Sequence, residues 1–264
     1  MLKSFARRIL YFCQQFGVDP QAALKGLCGL PYYFRDAIVL RRQQKLSSVP
    51  FPFATPYPCL SDRFSEAGVA SGHYFHQDLL VARKIFQHTP KKHVDVGSRV
   101  DGFVAHVAVY REIEVFDVRP VTSRAININF RQVDMMGSLN GSLINYCDSV
   151  SCLHALEHFG LGRYGDPVNF EGHLKGLRNL MDLLVPGGKL YLSVPIGPQR
   201  IEFNAHRVFS VPYLLSLLSG FKVDSFSYVD DQGALHQDVP LATDSIKTNY
   251  GCWYGCGILE LTKI

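Results

Sequence analysis

The sequence predicts an α/β fold, a mostly parallel twisted sheet with helices on both faces, preceded by a helical N-terminal extension. Two observations carry this. From residue 93 onward, short apolar runs alternate with stretches of helical spacing. The run Ser149-Val150-Ser151-Cys152-Leu153 is β-branched and uncharged, as a strand buried on both faces must be.

The elements follow in chain order. Residues 1–45 read as two or three short helices broken at Pro20 and Pro31, and SVPFPFATPYPCL is an extended connector. Residues 71–89 regain helical spacing through Leu79, Leu80, Ala82 and Ile85. Strands are expected at 93–97, 113–118, 128–134, 149–153, 189–195, 221–229 and 256–264. Helices are expected at 103–109, 174–184 and 211–218, the second stopped by Pro186-Gly187-Gly188 and the third followed by Gly220. The division is therefore an extension over residues 1–70 and an α/β domain over 71–264.

Composition narrows the function. A chain of 264 residues with 47% hydrophobic and 19% charged residues describes a folded globular protein rather than a disordered one. The net charge of +4, with no dense Lys/Arg stripe, tolerates an anionic substrate and argues against nucleic acid as a partner. Seven scattered cysteines make no disulfide framework and point to a reducing, cytoplasmic setting. The N-terminus lacks the marks of a signal peptide. As a basic amphipathic helix, with Phe5, Ile9, Leu10, Phe12, Cys13 and Phe16 on one side and Lys3, Arg7 and Arg8 on the other, it suits either peripheral membrane contact or docking on its own domain.

Two segments look built for chemistry. In HVDVGSRVDGF a strand runs into a glycine-containing turn and a helix, which aims backbone N–H groups over the strand end. Asp117 ends the next strand at the spacing where nucleotide-binding α/β folds place a carboxylate on a ribose. In SVSCLHALEHFGLGRYGD the strand ends in His154, Glu157 and His158, at the edge where open α/β sheets bind ligands. The glycine-hinged loop behind them carries Arg163, Tyr164 and Asp166, suited to a carboxylate or phosphate and to ring stacking, or else to a rigid loop closed by an Arg163–Asp166 pair. Asn204, His206 and Arg207 follow the fifth strand of the domain, where Asn204 is also a candidate helix cap. His154-x-x-Glu157-His158 matches a zinc-peptidase pattern as well, but the run leaves a strand and meets Gly160 at once, with little room for the helix that pattern needs; no metal is expected there. Cys252 and Cys256 are too few for a closed zinc site and read as buried apolar thiols.

DVGS, FDV, QVD, CDSVSCLHALEH and LLVPGGKLYLSVP together resemble the class I S-adenosylmethionine-dependent methyltransferases. GHYFHQD, HVDVGSRVDGF, EHFGLGRYGDP and FNAHRVF also resemble a bacterial and nematode family of unknown function with such a fold. The resemblance implies a Rossmann-like seven-stranded sheet with its last strand antiparallel. It implies S-adenosylmethionine as cofactor, with Asp95, Gly97 and Ser98 at the methionine end, Asp117 on the ribose, Asp134 and Met135 beside the adenine, and Leu153 and His154 closing the far side. Arg99 and Asp101 stand where that family has small residues.

The leading expectation is O-methylation of a small or glycan-type acceptor, as in polysaccharide biosynthesis. His158 is then the base, Glu157 its orienting acid and His206 a further catalytic group. Arg163, Tyr164, Asp166, Asn204 and Arg207 are the substrate-side candidates. A cofactor-less binding or scaffolding protein, favoured by Arg99, is the alternative; a zinc hydrolase using His154, Glu157 and His158 is the third. The sequence does not set the oligomeric state.

Overall fold

Apolar side chains on both faces of the strands hold together an eight-stranded sheet. The computed structural model describes residues 2–122 and 124–264, with side chains from residue 9 onward. They fall into two units, 1–69 and 70–264.

In the first unit, helices α1 (Leu2–Gln15) and α2 (Pro20–Gln44) precede the extended connector. Asp19 caps α2 by accepting from the Gln21 and Ala22 N–H groups, and Pro20 takes the first helical position, where its missing N–H costs nothing. Contrary to the expected break, α2 continues through Pro31. The carbonyl that loses its partner belongs to Leu27, which is exposed, so water can replace the hydrogen bond. The expected apolar face of α1 is largely uncovered, with Ile9, Phe12 and Phe16 exposed, while the side chains of Lys3, Phe5, Arg7 and Arg8 lie outside the described residues.

The second unit begins with α3 (His73–His88), then β1 (His93–Val96), α4 (Ala105–Ala108), β2 (Ile113–Asp117), β3 (Ile128–Gln132) and β4 (Cys147–Leu153). It continues through α5 (Gly172–Leu183), β5 (Leu184–Ile196), the hairpin β6 (Arg200–Glu202) and β7 (His206–Val208), and α6 (Val211–Ser216). β8 (Phe221–Val229), β9 (Leu235–His236), α7 (Thr243–Lys247) and β10 (Gly255–Lys263) complete it.

Strand order is β3-β2-β1-β4-β5-β10-β8-β9, parallel from β3 to β5, with β10 antiparallel to both β5 and β8. The expected seven strands with an antiparallel last member are present. The eighth, β9, is a two-residue addition that pairs with β8 and is too short to leave a sequence pattern. One face of the sheet packs on α3 and α4 through Leu80, Val81, Ile85, Phe103 and Val107. The other packs on α5 and α6 through Leu177, Leu180, Leu183, Val211 and Leu214. Buried His93 holds the Ser149 and Ser151 hydroxyls at 2.8 and 3.1 Å, and desolvation pushes its pKa down to about 3, so it is a neutral core residue.

Strand order reverses between β1 and β4, whose neighbours run outward on opposite sides. Chain leaving the two carboxyl ends there diverges and opens a crevice. Among the described residues, no helix is long and apolar enough to cross a membrane.

Candidate active site over the carboxyl ends of the strands

The crevice holds a cavity of about 370 Å³, a volume typical of small-molecule sites. Gly97 after β1, Asp117 ending β2, Asp134 and Met135 after β3, and Leu153 and His154 at the end of β4 all line it. His158, Arg163, Tyr164 and Asp166 face it from the glycine loop.

Asp95 and Ser98, expected on the cofactor, are instead buried behind the turn. Asp95 accepts from the Ser98 and Ser151 hydroxyls, both at 2.6 Å, and from the Ser98 N–H. Ser98 Oγ in turn accepts from the Leu153 N–H, which ties β1 to β4. Desolvation raises the Asp95 pKa to about 6, so its proton inventory is part of the turn's structure. Gly97 has φ +73°, and a Cβ there would sit 2.9 Å from the Ala155 Cβ. Gly97→Ala is accordingly expected to destabilise the domain by about 1–3 kcal/mol and to distort the cavity floor, read by thermal unfolding. Arg99, the residue that departs from the family pattern, turns outward to an exposed ion pair with Asp101 at 2.8 Å.

Asp117 accepts from the Arg119 N–H and guanidinium at 2.7–3.0 Å. A carboxylate has about four acceptor sites, so one remains. Arg119 also lies 4.3 Å from the Tyr164 ring centre and Arg163 lies 5.2 Å from it, placing the ring against two guanidinium groups. Arg119 escaped sequence reasoning because its partner, two residues away, was read as free.

The histidines divide their work differently from expectation. His158 Nδ1–H donates to the Ala205 carbonyl at 2.7 Å, which leaves Nε2 as the bare nitrogen, 3.8 Å from Glu157 Oε1. Glu157 makes its close contact with the other histidine, His154 Nδ1, at 2.7 Å. The backbone, not Glu157, therefore sets the His158 tautomer. Desolvation dominates the His158 environment and lowers its pKa despite the carboxylate, so the ring is a neutral base at pH 7. His154 is opposite: burial opposes its charge, but Cys256 and Glu157 together hold its pKa well above the usual range. Residues 156–158 form a single 3-10 turn, so the helical presentation required by the zinc-hydrolase pattern is absent.

Hydrogen bonding gives Asp166 and Arg207 structural partners, and Asn204 and His206 are not among the residues lining the cavity. Asp166 accepts from the N–H groups of Gly160, Gly162 and Tyr164, so it closes the loop itself, and Arg163 donates to the Ala205 carbonyl rather than pairing with it. Arg207 is buried and donates to the carbonyls of Glu157, Phe159, Asn169 and Phe170. Asn204 caps no helix; it sits exposed at φ +62° in the β6–β7 turn, while Ser210 caps α6. His206 lies behind the cavity wall, its ring 6.5 Å from that of His158 and its Nε2 3.6 Å from Glu202. Asp166 and Arg207 keep their positions because they satisfy buried backbone groups.

A family model described as "Caenorhabditis protein of unknown function, DUF268" matches residues 128–234, less than half the chain, including the glycine loop and the β6–β7 hairpin. No curated protein sequence matches significantly. Among solved structures, the [4+2]-cyclase SpnF is similar at 17% identity over 71% of this chain and 80% of that one, with TM-score 0.51. The Burkholderia thailandensis 1,6-didemethyltoxoflavin-N1-methyltransferase, solved with bound 1,6-didemethyltoxoflavin and S-adenosylhomocysteine, is similar at 15% identity over 71% of this chain and 78% of that one, with TM-score 0.50. The fold is thus Rossmann-like, as in these solved structures. Two reaction types stand among those neighbours, so the fold alone assigns no substrate.

Proposed function

We propose that this chain is an S-adenosylmethionine-dependent methyltransferase acting on a hydroxyl of a small or glycan-type acceptor. The observation that supports it most is the placement of a neutral, tautomer-fixed imidazole, His158, on the wall of a cofactor-sized cavity at the reversal of strand order. The cavity fits the cofactor. Gly97 presents bare backbone at its floor, Asp117 keeps an acceptor site for a ribose hydroxyl, and Met135 offers an apolar wall for a base.

S-adenosylmethionine supplies an activated methyl group on sulfur. The chain supplies position and proton management. Tyr164, held by Arg119 and Arg163, shields the cavity and presents a stacking face to the acceptor. His158 Nε2 takes the hydroxyl proton as the oxygen becomes nucleophilic, and the nearby Glu157 carboxylate stabilises the resulting imidazolium. Holding the two reactants in line accounts for most of the acceleration. Arg163, which lines the cavity and donates to the Ala205 carbonyl rather than to a carboxylate, favours an acceptor bearing negative charge. The free state of all seven cysteines suits a reducing compartment.

Calorimetric titration of the full chain with S-adenosylmethionine and S-adenosylhomocysteine tests the cofactor. Micromolar binding, weakened about ten- to hundredfold by Asp117→Ala, is expected, the worth of a hydrogen bond to a carboxylate. The second reading, a cofactor-less binding protein in a saccharide pathway, is favoured by the Arg119 guanidinium already seated on Asp117. Absence of binding by folded protein would select it.

A further inference from the structure

Beside the cavity, three side chains from distant parts of the chain meet. His73 is the first residue of α3, His154 follows β4, and Cys256 is the second residue of β10. One ligand-type atom from each lies within 4.8 Å of the other two. We propose that His73, His154 and Cys256 form a mononuclear zinc site with its fourth position open, a ligand set distinct from the His154-x-x-Glu157-His158 pattern.

Three features point to a metal rather than to chance proximity. The first is the orientation of His154. Its side chain is 4% exposed, Nδ1 is held by Glu157 Oε1 at 2.7 Å, and Nε2 is buried toward the Cys256 thiol with no well-formed hydrogen bond among the described residues. A carboxylate on one imidazole nitrogen fixes the tautomer and raises the basicity of the other, the arrangement that carboxylate–histidine–zinc triads use. A buried imidazole nitrogen with no good partner is unfavourable, and a cation would remove that cost.

The second feature is the backbone. His154 has φ +49°, left-handed and unfavourable for a residue with a Cβ. That conformation turns the ring from the strand toward α3, beside His73, with ring centres 5.1 Å apart; the planes lie 9° from parallel, so one imidazole must rotate for both lone pairs to meet on one ion. The third is the sulfur. Cys256 is fully buried, and its contacts to Gln77 Oε1 and the Gly257 carbonyl are long, 3.7 and 3.9 Å, leaving the thiol weakly held.

Two imidazoles and a thiolate are borderline-soft donors that suit Zn²⁺, and three protein ligands with an open fourth position are the mark of a reactive rather than a structural zinc site. Tetrahedral coordination sets ligand atoms about 3.4–3.6 Å apart, so a spacing of up to 4.8 Å must close by a little over an ångström, within reach of side-chain rotation. Because His154 also lines the cavity, the site adjoins it. The site stands on its own geometry and does not depend on the methyl-transfer reading.

The test uses the full chain, stripped of metal and titrated with Zn²⁺ and separately with Co²⁺. One tightly bound equivalent is expected, and Co²⁺ should give thiolate-to-metal charge transfer together with the visible bands of tetrahedral coordination. Cys256→Ala should abolish the charge-transfer band, His73→Asn should weaken binding, and Glu157→Gln should weaken it about ten- to hundredfold. His73 is the least buried ligand, so His73→Asn is expected to keep the fold, checked by circular dichroism. Failure of the folded wild-type chain to bind one equivalent would overturn the proposal. So would binding that survives both His73→Asn and Cys256→Ala, or that disappears instead with Cys59→Ala at an exposed thiol.

Discussion

Replacing His158 by glutamine is expected to lower methyl transfer by about a hundred- to ten-thousandfold while leaving cofactor affinity within about twofold. Glutamine keeps a donor for the Ala205 carbonyl and roughly the same volume, but it cannot take a proton. Turnover with an acceptor found by screening, and titration with S-adenosylhomocysteine, measure the two quantities separately. In the wild type, the working form of His158 is the neutral one and its pKa is depressed. Activity should therefore be present above that pKa and fall as pH drops through it, with a midpoint below the ordinary imidazole value of about 6.5. The groups facing the ring are Glu157, which resists the depression, and Arg163, His154, His206 and Tyr164. An acid limb centred above that value, or a variant as active as wild type, would remove His158 as base.

Arg207→Met should fail differently, by unfolding. The buried guanidinium serves four carbonyls of the chain that runs from the catalytic turn to α5, with hydrogen bonds of 2.6–3.5 Å. Methionine leaves them buried without donors, and a loss of about 3 kcal/mol is expected, lowering the thermal midpoint by roughly 6–12 °C. Lysine should recover little, since a single ammonium cannot span the positions that the guanidinium fork reaches. A variant with unchanged melting and a raised acceptor KM would instead restore Arg207 to the substrate side.

These two residues show how far the sequence could be read. The strands were visible because Val94, Val96, Val150, Cys152, Leu190 and Leu192 are apolar on a two-residue rhythm, which sends all six side chains into one core. Asp117 and His154 could be placed at strand ends by counting, and those ends converge on one cavity. The short β6–β7 hairpin was missed because three-residue strands carry no period. Arg207 and Asp166 were misread for another reason: a charged side chain in a loop looks the same whether it meets a substrate or the chain's own backbone. Hydrogen-bond partners distant in sequence decide that, as Arg207 to Phe170 does. The meeting of His73 with Cys256 was hidden more deeply. Each was noticed in its own segment, but only the insertion of β10 beside β5 brings them together.

That insertion also constrains the order of assembly. β10 occupies the middle of the right-hand half of the sheet, bonded to β5 on one side and to β8 on the other. During synthesis, β1 through β5 can zip as each emerges, whereas β8 and β9 have no seat until a strand made later slides between them and β5. Until then β5 presents a bare apolar edge, the stage at which a nascent chain is most exposed to wrong pairing. Vectorial folding of this protein should therefore stall until β10 is seated, and Cys256, carried on β10, would reach His73 and His154 only then.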